Sequence, residues 1–309
     1  MKHPVYWFLI SSGLITSTTL SFAQAENQTL SPSDSYDGNA AGNTAFKPKT
    51  SSNANGTTYT CIGDVCIAYA GASQALTESC FSQTAGNLSF IGNKCSLCFE
   101  NITSTNKPGA IDVNVNDKTL SVNDFSLFSC SFCPPGSSQK GAIKTQGNST
   151  FSNNIKLIFL KNSSTDSGGA ISCTNTGNSA ELKFEGNSQL IFSENSSSAS
   201  GGAIYTNKLT INSGGTTVFS NNTVSKDNSP KGGAICLQDT GGECSLTANL
   251  GNIIFEGNKI ITTGNSPSTK RNAIDLGTNG KFMKLNAKEG FGIYFYDPIA
   301  NKMGIPPQN

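Results

Sequence analysis

The sequence predicts an all-β fold, a right-handed parallel β-helix of about seven rungs. Three observations carry this. Phe151, Phe159 and Ala170 are followed by Phe184, Phe192 and Ala203, each 33 residues later. Between these landmarks lie short apolar runs (157–159, 182–184, 209–211 and 253–255) that alternate with polar residues and end in Asn, Gly or Ser, as strands do. No segment of ten or more residues shows a 3.6-residue apolar period. Three short strands per repeat make one triangular turn of a solenoid. A propeller blade would need about 40–45 residues and a four-strand signature that is not found. Right-handedness follows from the handedness of parallel crossovers.

The N-terminus reads as an export signal. Lys2 and His3 precede an apolar stretch from Val5 to Ile15, and small residues at Ala23 and Ala25 fit cleavage sites. Ser11, Ser12 and Gly13 interrupt the stretch before the roughly 18–20 residues a membrane anchor needs, so residues 1–23 are expected to be removed. No later stretch is long enough to span a bilayer as a helix. His3 is the only histidine, so the mature chain is left without His-based catalysis or His-ligated metal. Net charge is +1, from 21 basic and 20 acidic residues, and gives no field to recruit nucleic acid or anionic lipid. Only 13% of residues are charged, yet 18 Phe are too many for a disordered chain.

Residues 24–58 hold almost no branched aliphatics and read as a flexible leader rich in Ser and Asn. Residues 59–139 form a cysteine-rich region expected to cap the β-helix, whose first rung would otherwise expose a strand edge. Seven of the ten Cys lie here: Cys61, Cys66, Cys80, Cys95, Cys98, Cys130 and Cys133; the others are Cys173, Cys236 and Cys244. The two C-x-x-C pairs have the spacing of a four-thiolate zinc site. In an exported chain structural disulfides are the preferred reading. Spacing leaves their connectivity open.

Residues 140–282 carry the regular repeat. Phe-x-x-Asn occurs at Phe90/Asn93, Phe151/Asn154, Phe159/Asn162, Phe184/Asn187, Phe192/Asn195, Phe219/Asn222 and Phe255/Asn258. Gly-Gly-Ala-Ile occurs at Gly168, Gly169, Ala170, Ile171, again at Gly201, Gly202, Ala203, Ile204, and again at Gly232, Gly233, Ala234, Ile235. Physically, each Phe is expected to stack on the Phe one rung away, about 4.8 Å along the rod. Each Asn suits a corner where amides share bonds up the stack. Residues 283–309 close the repeat region and leave a short tail.

Interleaved in this way in an exported chain, the two motifs closely resemble those of the chlamydial polymorphic membrane proteins, over about 60 to 299. The stretch from Ile293 to Ile299 resembles the end of that family's repeat region. The resemblance implies an autotransporter passenger: a surface-displayed β-helical adhesin and antigen whose partner is a host-cell surface protein. It also implies a part in adhesion for both motifs, whereas the residues themselves read as interior packing and corners. The outward Glu185, Glu256, Lys161 and Ser193 are then the better contact candidates. The family continues into a C-terminal outer-membrane barrel, which needs at least eight strands of about ten residues. Only ten residues follow Ile299, so a truncated member is expected, held loosely at the outer membrane or released. The alternatives are a structural surface protein that self-associates through its solenoid edges, and a remnant without function.

No enzyme and no cofactor are expected. Asp112, Asp117, Asp124, Asp166, Asp227, Asp239 and Asp275 do not follow the repeat, so they do not line one groove as a hydrolase would require. Glu185 and Glu256 share a motif position but lie more than two rungs apart.

Overall fold

The computed structural model describes residues 24–37, 47–69, 76–104, 107–133, 141–238 and 241–300. The expected signal peptide lies outside the described residues. Within them the chain is a parallel β-solenoid without α-helix; one 3-10 turn spans Pro32–Asp34. Two nine-stranded sheets, one of eight strands and one of five stack the coils. One coil shows the plan. Glu181–Glu185 lies in the first sheet and Gln189–Ser193 in the second. The two-residue strand Ser196–Ser197 follows in the short sheet, and Ile204–Thr206 completes the turn in the third sheet.

Strand pairing is parallel and in register from coil to coil: Phe151 pairs with Phe184, Phe159 with Phe192, and Ile171 with Ile204. The alternation of the sequence explains the inward set. In Lys156–Leu160, Leu157 and Phe159 are buried while Lys156, Ile158 and Leu160 are not. Seven first-sheet strands begin between Thr57 and Glu243, and the sheet extends by one strand at each end.

The strand at the N-terminal end corrects the expected leader. Glu26–Leu30 pairs in parallel with Thr57–Cys61, Tyr36–Asp37 with Val65–Ala68, and Lys49–Ser51 with Phe81–Gln83. The described parts of 24–58 are therefore a coil of the solenoid. It needs little apolar sequence because an end coil buries only one side: Leu30 is the one buried residue of its strand. By the same pairing the cysteine-rich region is not a cap, since the described residues between 57 and 133 run as ordinary coils with strands in all three large sheets.

At the C-terminal end, Lys259–Thr262 pairs antiparallel with Ser268–Arg271, while the other strand pairings among the described residues are parallel. The last coil leaves Met283, Leu285, Phe291, Tyr294 and Tyr296 exposed. No helix of the described residues is long and apolar enough to cross a membrane.

Candidate functional site

The motifs that dominate the sequence form the inside of the rod. Phe159, Phe192, Phe219, Phe255 and Phe295 stack face to face in the second sheet, with centroids 4.6, 4.9, 4.8 and 4.9 Å apart and interplanar angles of 8° or less. The Phe-x-x-Asn units thus divide between two sheets. Phe90, Phe151 and Phe184 belong to the first, and Phe184 is followed there by Ile211 and Leu246. Phe219 and Phe255 sit in the second-sheet stack.

A column of amides runs beside that stack. The Oδ1 of Asn195 accepts from the backbone N–H and from Nδ2 of Asn162, both at 3.0 Å. Asn195 in turn donates Nδ2 to Asn222 Oδ1 at 3.0 Å and to the Phe159 carbonyl at 2.9 Å. Asn222 repeats this with Asn258. Both donors and the acceptor of each buried amide are used, which removes the penalty of burying them. At the first corner, Asn154 donates to Asn187 Oδ1 at 2.9 Å. Asn93 departs from this pattern. Cys95, the residue aligned with Asn154 through Phe125, lies five positions after Phe90, whereas Asn154 lies three after Phe151. Asn93 therefore bulges out in the left-handed region at φ 47° and bonds the Cys61 carbonyl.

The Gly-Gly-Ala-Ile units make the third corner. Gly168, Gly201 and Gly232 adopt φ 75°, 64° and 65°, which favours glycine. At Gly202 a Cβ would stand 2.1 Å from the next coil's Gly233 carbonyl oxygen, so no side chain fits. Ala170, Ala203 and Ala234 and Ile171, Ile204 and Ile235 are fully buried.

What remains for contact is the outer surface. Glu185, Glu256 and Lys161 are exposed and Ser193 is half-buried, bonded by Ser220 Oγ at 3.0 Å. The third sheet carries a row that sequence periodicity alone does not single out: Ser82, Asp112, Lys144, Ser172, Tyr205, Cys236 and Asp275, each registered with the next, of which Lys144, Tyr205 and Asp275 are half-buried and the others buried. Asp112 is nearly buried beside Lys107, with one carboxylate oxygen left without a partner, and desolvation pushes its pKa up. Asp112 and Asp275 are five strands apart in this row, about 24 Å at ordinary strand spacing. Asp117 and Asp124 occupy left-handed turn positions at φ 60° and 61°. Asp239 lies outside the described residues.

All ten cysteines are free thiols in this structure, so the expected disulfide framework is not formed. Seven are buried, and six of them, Cys61, Cys80, Cys130, Cys133, Cys173 and Cys244, act as small apolar side chains in the core. Burial pushes the thiols of Cys61 and Cys133 up to about 12. Among the described residues no three Cys, His, Asp or Glu converge as a metal site would require.

Comparison with known proteins agrees with this geometry. The Chlamydia polymorphic membrane protein repeat matches residues 148–174, 189–207 and 216–238. Along 97% of its length the chain is 40% identical to the probable outer membrane protein pmp2 of Chlamydia pneumoniae, covering 35% of that protein. It is 36% identical to pmp11 of the same organism over 98% of the chain, covering 41% of pmp11. It is 33% identical to pmp8 over 97% of the chain, covering 42% of pmp8. The chain thus spans about two-fifths of the length of these relatives. No solved structure matches it. The repeats, their positions in the coils and the similarity along nearly the whole chain establish that it belongs to the chlamydial polymorphic membrane protein family, a family of outer membrane proteins.

Proposed function

We propose that the chain is exported and displayed at the outer membrane surface, where it binds a host-cell surface protein through the outer faces of its solenoid. The supporting observation is the burial of both family motifs. Phe159, Phe192 and Ile204 are 0% exposed, so a partner meets only the residues between them. The rod presents long registered rows of outward side chains, and those rows vary from coil to coil while the interior repeats.

Beads coated with the folded full chain, counted on epithelial cells, test this reading. Saturable attachment that soluble protein blocks is the expected result. Absence of attachment by a sample with β-type circular dichroism would overturn it.

One observation favours a second reading, assembly through the solenoid end. The final coil exposes Met283, Phe291, Tyr294 and Tyr296 beside an unpaired strand edge at Lys281–Ala287, the kind of edge that templates another chain. Sedimentation that grows with protein concentration, and is lost on Tyr296→Lys with Phe291→Lys, would support it.

A further inference from the structure

On the outer face of the third sheet, Lys144, Ser172 and Tyr205 stand in one registered row on three successive strands. Ser172, the small member, lies between two long side chains whose Cα atoms are about 9–10 Å apart at ordinary strand spacing. The result is a cleft of about 280 Å³. Asp166 and Ser167 form one wall, and Thr174, Asn175 and Thr176 form the other.

The second wall is fixed by bonds that reach across coils. Asn175 donates Nδ2 to Asp117 Oδ1 at 2.8 Å, and Thr176 donates both its N–H and its hydroxyl to Asn116 Oδ1 at 3.2 Å. The backbone N–H of Asn175 donates to Asn207 Oδ1 at 3.2 Å, and Gln146 donates to Asn114 Oδ1 at 2.9 Å. A corner loop is thereby tied to two other coils, and Gln146 beside it to one of the same two. The cleft is preformed, which lowers the ordering cost of binding.

We propose that this cleft binds one neutral sugar ring, as part of a glycan carried by the host-cell partner. Its chemistry selects against the other ligand classes. Its volume lies at or below the roughly 300 Å³ floor of drug-sized sites, so it takes one ring and not a peptide segment. Lys144 and Asp166 oppose each other in charge, which gives no preference for a phosphate or sulfate. No aliphatic side chain lines it, which disfavours a lipid tail or an apolar anchor. The amides of Gln146 and Asn175 are spent on holding the walls, and the hydroxyls of Ser167, Ser172 and Thr174 both donate and accept, as sugar hydroxyls do. Tyr205 supplies the one flat apolar surface, with a polar tip, against which the C–H face of a pyranose packs.

The second cleft on the outer surface, lined by Glu181, Lys208, Thr210 and Glu243, is different. Its polar groups satisfy one another, with Lys208 2.9 Å from Glu243 and Thr210 bonded to Glu181 at 2.7 Å.

The biological setting rests on the adhesive reading, and the experiment separates the two. Labelled full chain is applied to an array of neutral and acidic oligosaccharides, alongside Ser172→Tyr, which fills the cleft, and Tyr205→Ala, which removes its flat wall. Circular dichroism and urea midpoints check that both variants fold. The expected result is binding to neutral oligosaccharides, reduced about tenfold or more in each variant. Binding to no neutral saccharide, binding to acidic ones alone, or full binding by folded Ser172→Tyr overturns the proposal. Beads carrying the same proteins complete the test. Equal attachment by wild type and Ser172→Tyr overturns the cleft and leaves adhesion standing. Array binding without attachment leaves the cleft and removes the adhesive reading.

Discussion

Asn258 donates its side-chain amide to Oδ2 of Asp297 at 2.9 Å, and at that bond the neutral amide column ends in a charge. Asp297 is 1% exposed. It also accepts from the backbone N–H of Gly257 at 3.1 Å and of Asn258 at 2.8 Å, and from Arg271 Nε at 2.8 Å. Arg271 reaches it only because the single antiparallel hairpin folds residues 268–271 back over the preceding strand. Loss of the carboxylate leaves several buried donors unsatisfied, each costing about 1–3 kcal/mol. Asp297→Ala is therefore expected to lower stability by about 3 kcal/mol or more. Asp297→Asn continues the column in the manner of the earlier coils, and is expected to cost less than half of that. Urea midpoints of the two variants check the order; a reversed order would show that the charge itself, and not the acceptor, holds the last coil.

The ring stack and the amide column make separable contributions. Phe192 has a parallel ring 4.6 Å away on one side and 4.9 Å on the other, so Phe192→Ala opens a cavity that flanking coils cannot close. A loss of about 3–5 kcal/mol is expected. Asn195→Ala removes the acceptor for both donors of Asn162 and the donor to the Phe159 carbonyl, and about 2–4 kcal/mol is expected from those orphaned groups. Each variant is compared with wild type for urea midpoint and for bead attachment. Attachment lost at unchanged stability would make the motif a binding surface despite its burial.

Much of this was legible in the sequence because a solenoid repeats its interior. The offset of 33 residues gave the coil, and the alternation in Lys156–Leu160 gave the inward face. The misreadings have physical causes. Phe-x-x-Asn ends strands on two different sheets, and the motif alone does not say which, so the placement of Phe219 and Phe255 in the second sheet needed the registers of Ile211 and Leu246. The coil at Glu26–Leu30 was hidden because strand pairing to Thr57–Cys61, and not its own apolar content, makes it a strand. Asp297 was invisible because the column changes residue type there. The cleft required knowing that Lys144 to Ser172 spans 28 residues and Ser172 to Tyr205 spans 33, a difference set by coil lengths and not by any motif.

The buried thiols make the fold sensitive to alkali. Burial holds Cys133 up at about 12 from an ordinary value of 9.0, and also raises Cys80 and Cys130 well above that ordinary value. Between those values the folded chain keeps protons that the unfolded chain releases. Stability is then full below about pH 8 and falls as pH rises through 9 toward 12, with each such thiol adding a slope of up to about 1.4 kcal/mol per pH unit. Urea midpoints from pH 7 to 10.5 should show this decline. Cys133→Ala should make it shallower, and an unchanged slope in that variant would mean the decline comes from other groups.

Three thiols, Cys66, Cys95 and Cys98, stand apart from the buried set, and two of them are paired in register. Cys66 and Cys98 are direct register partners on adjacent parallel strands, Cys66 exposed and Cys98 half-buried on the outer face of the second sheet. Neighbouring strands bring their Cα atoms to about 4.8 Å, inside the 4.4–6.8 Å window of a disulfide. Glutathione disulfide is expected to join them: two thiols lose their hydrogens to the oxidant, which leaves as two glutathione molecules. Nearby acids slow the step, since burial with Glu100 and Asp37 close by raises the Cys66 pKa, so the rate should climb with pH. The bond would close a loop of about 30 residues, and by the loop-entropy relation it would add about 3–4 kcal/mol. Peptide mapping without reduction should find Cys66 linked to Cys98, with the buried Cys80, Cys130 and Cys244 still alkylated only after unfolding. A cross-link to any buried thiol instead would show that the second sheet opens between these two coils.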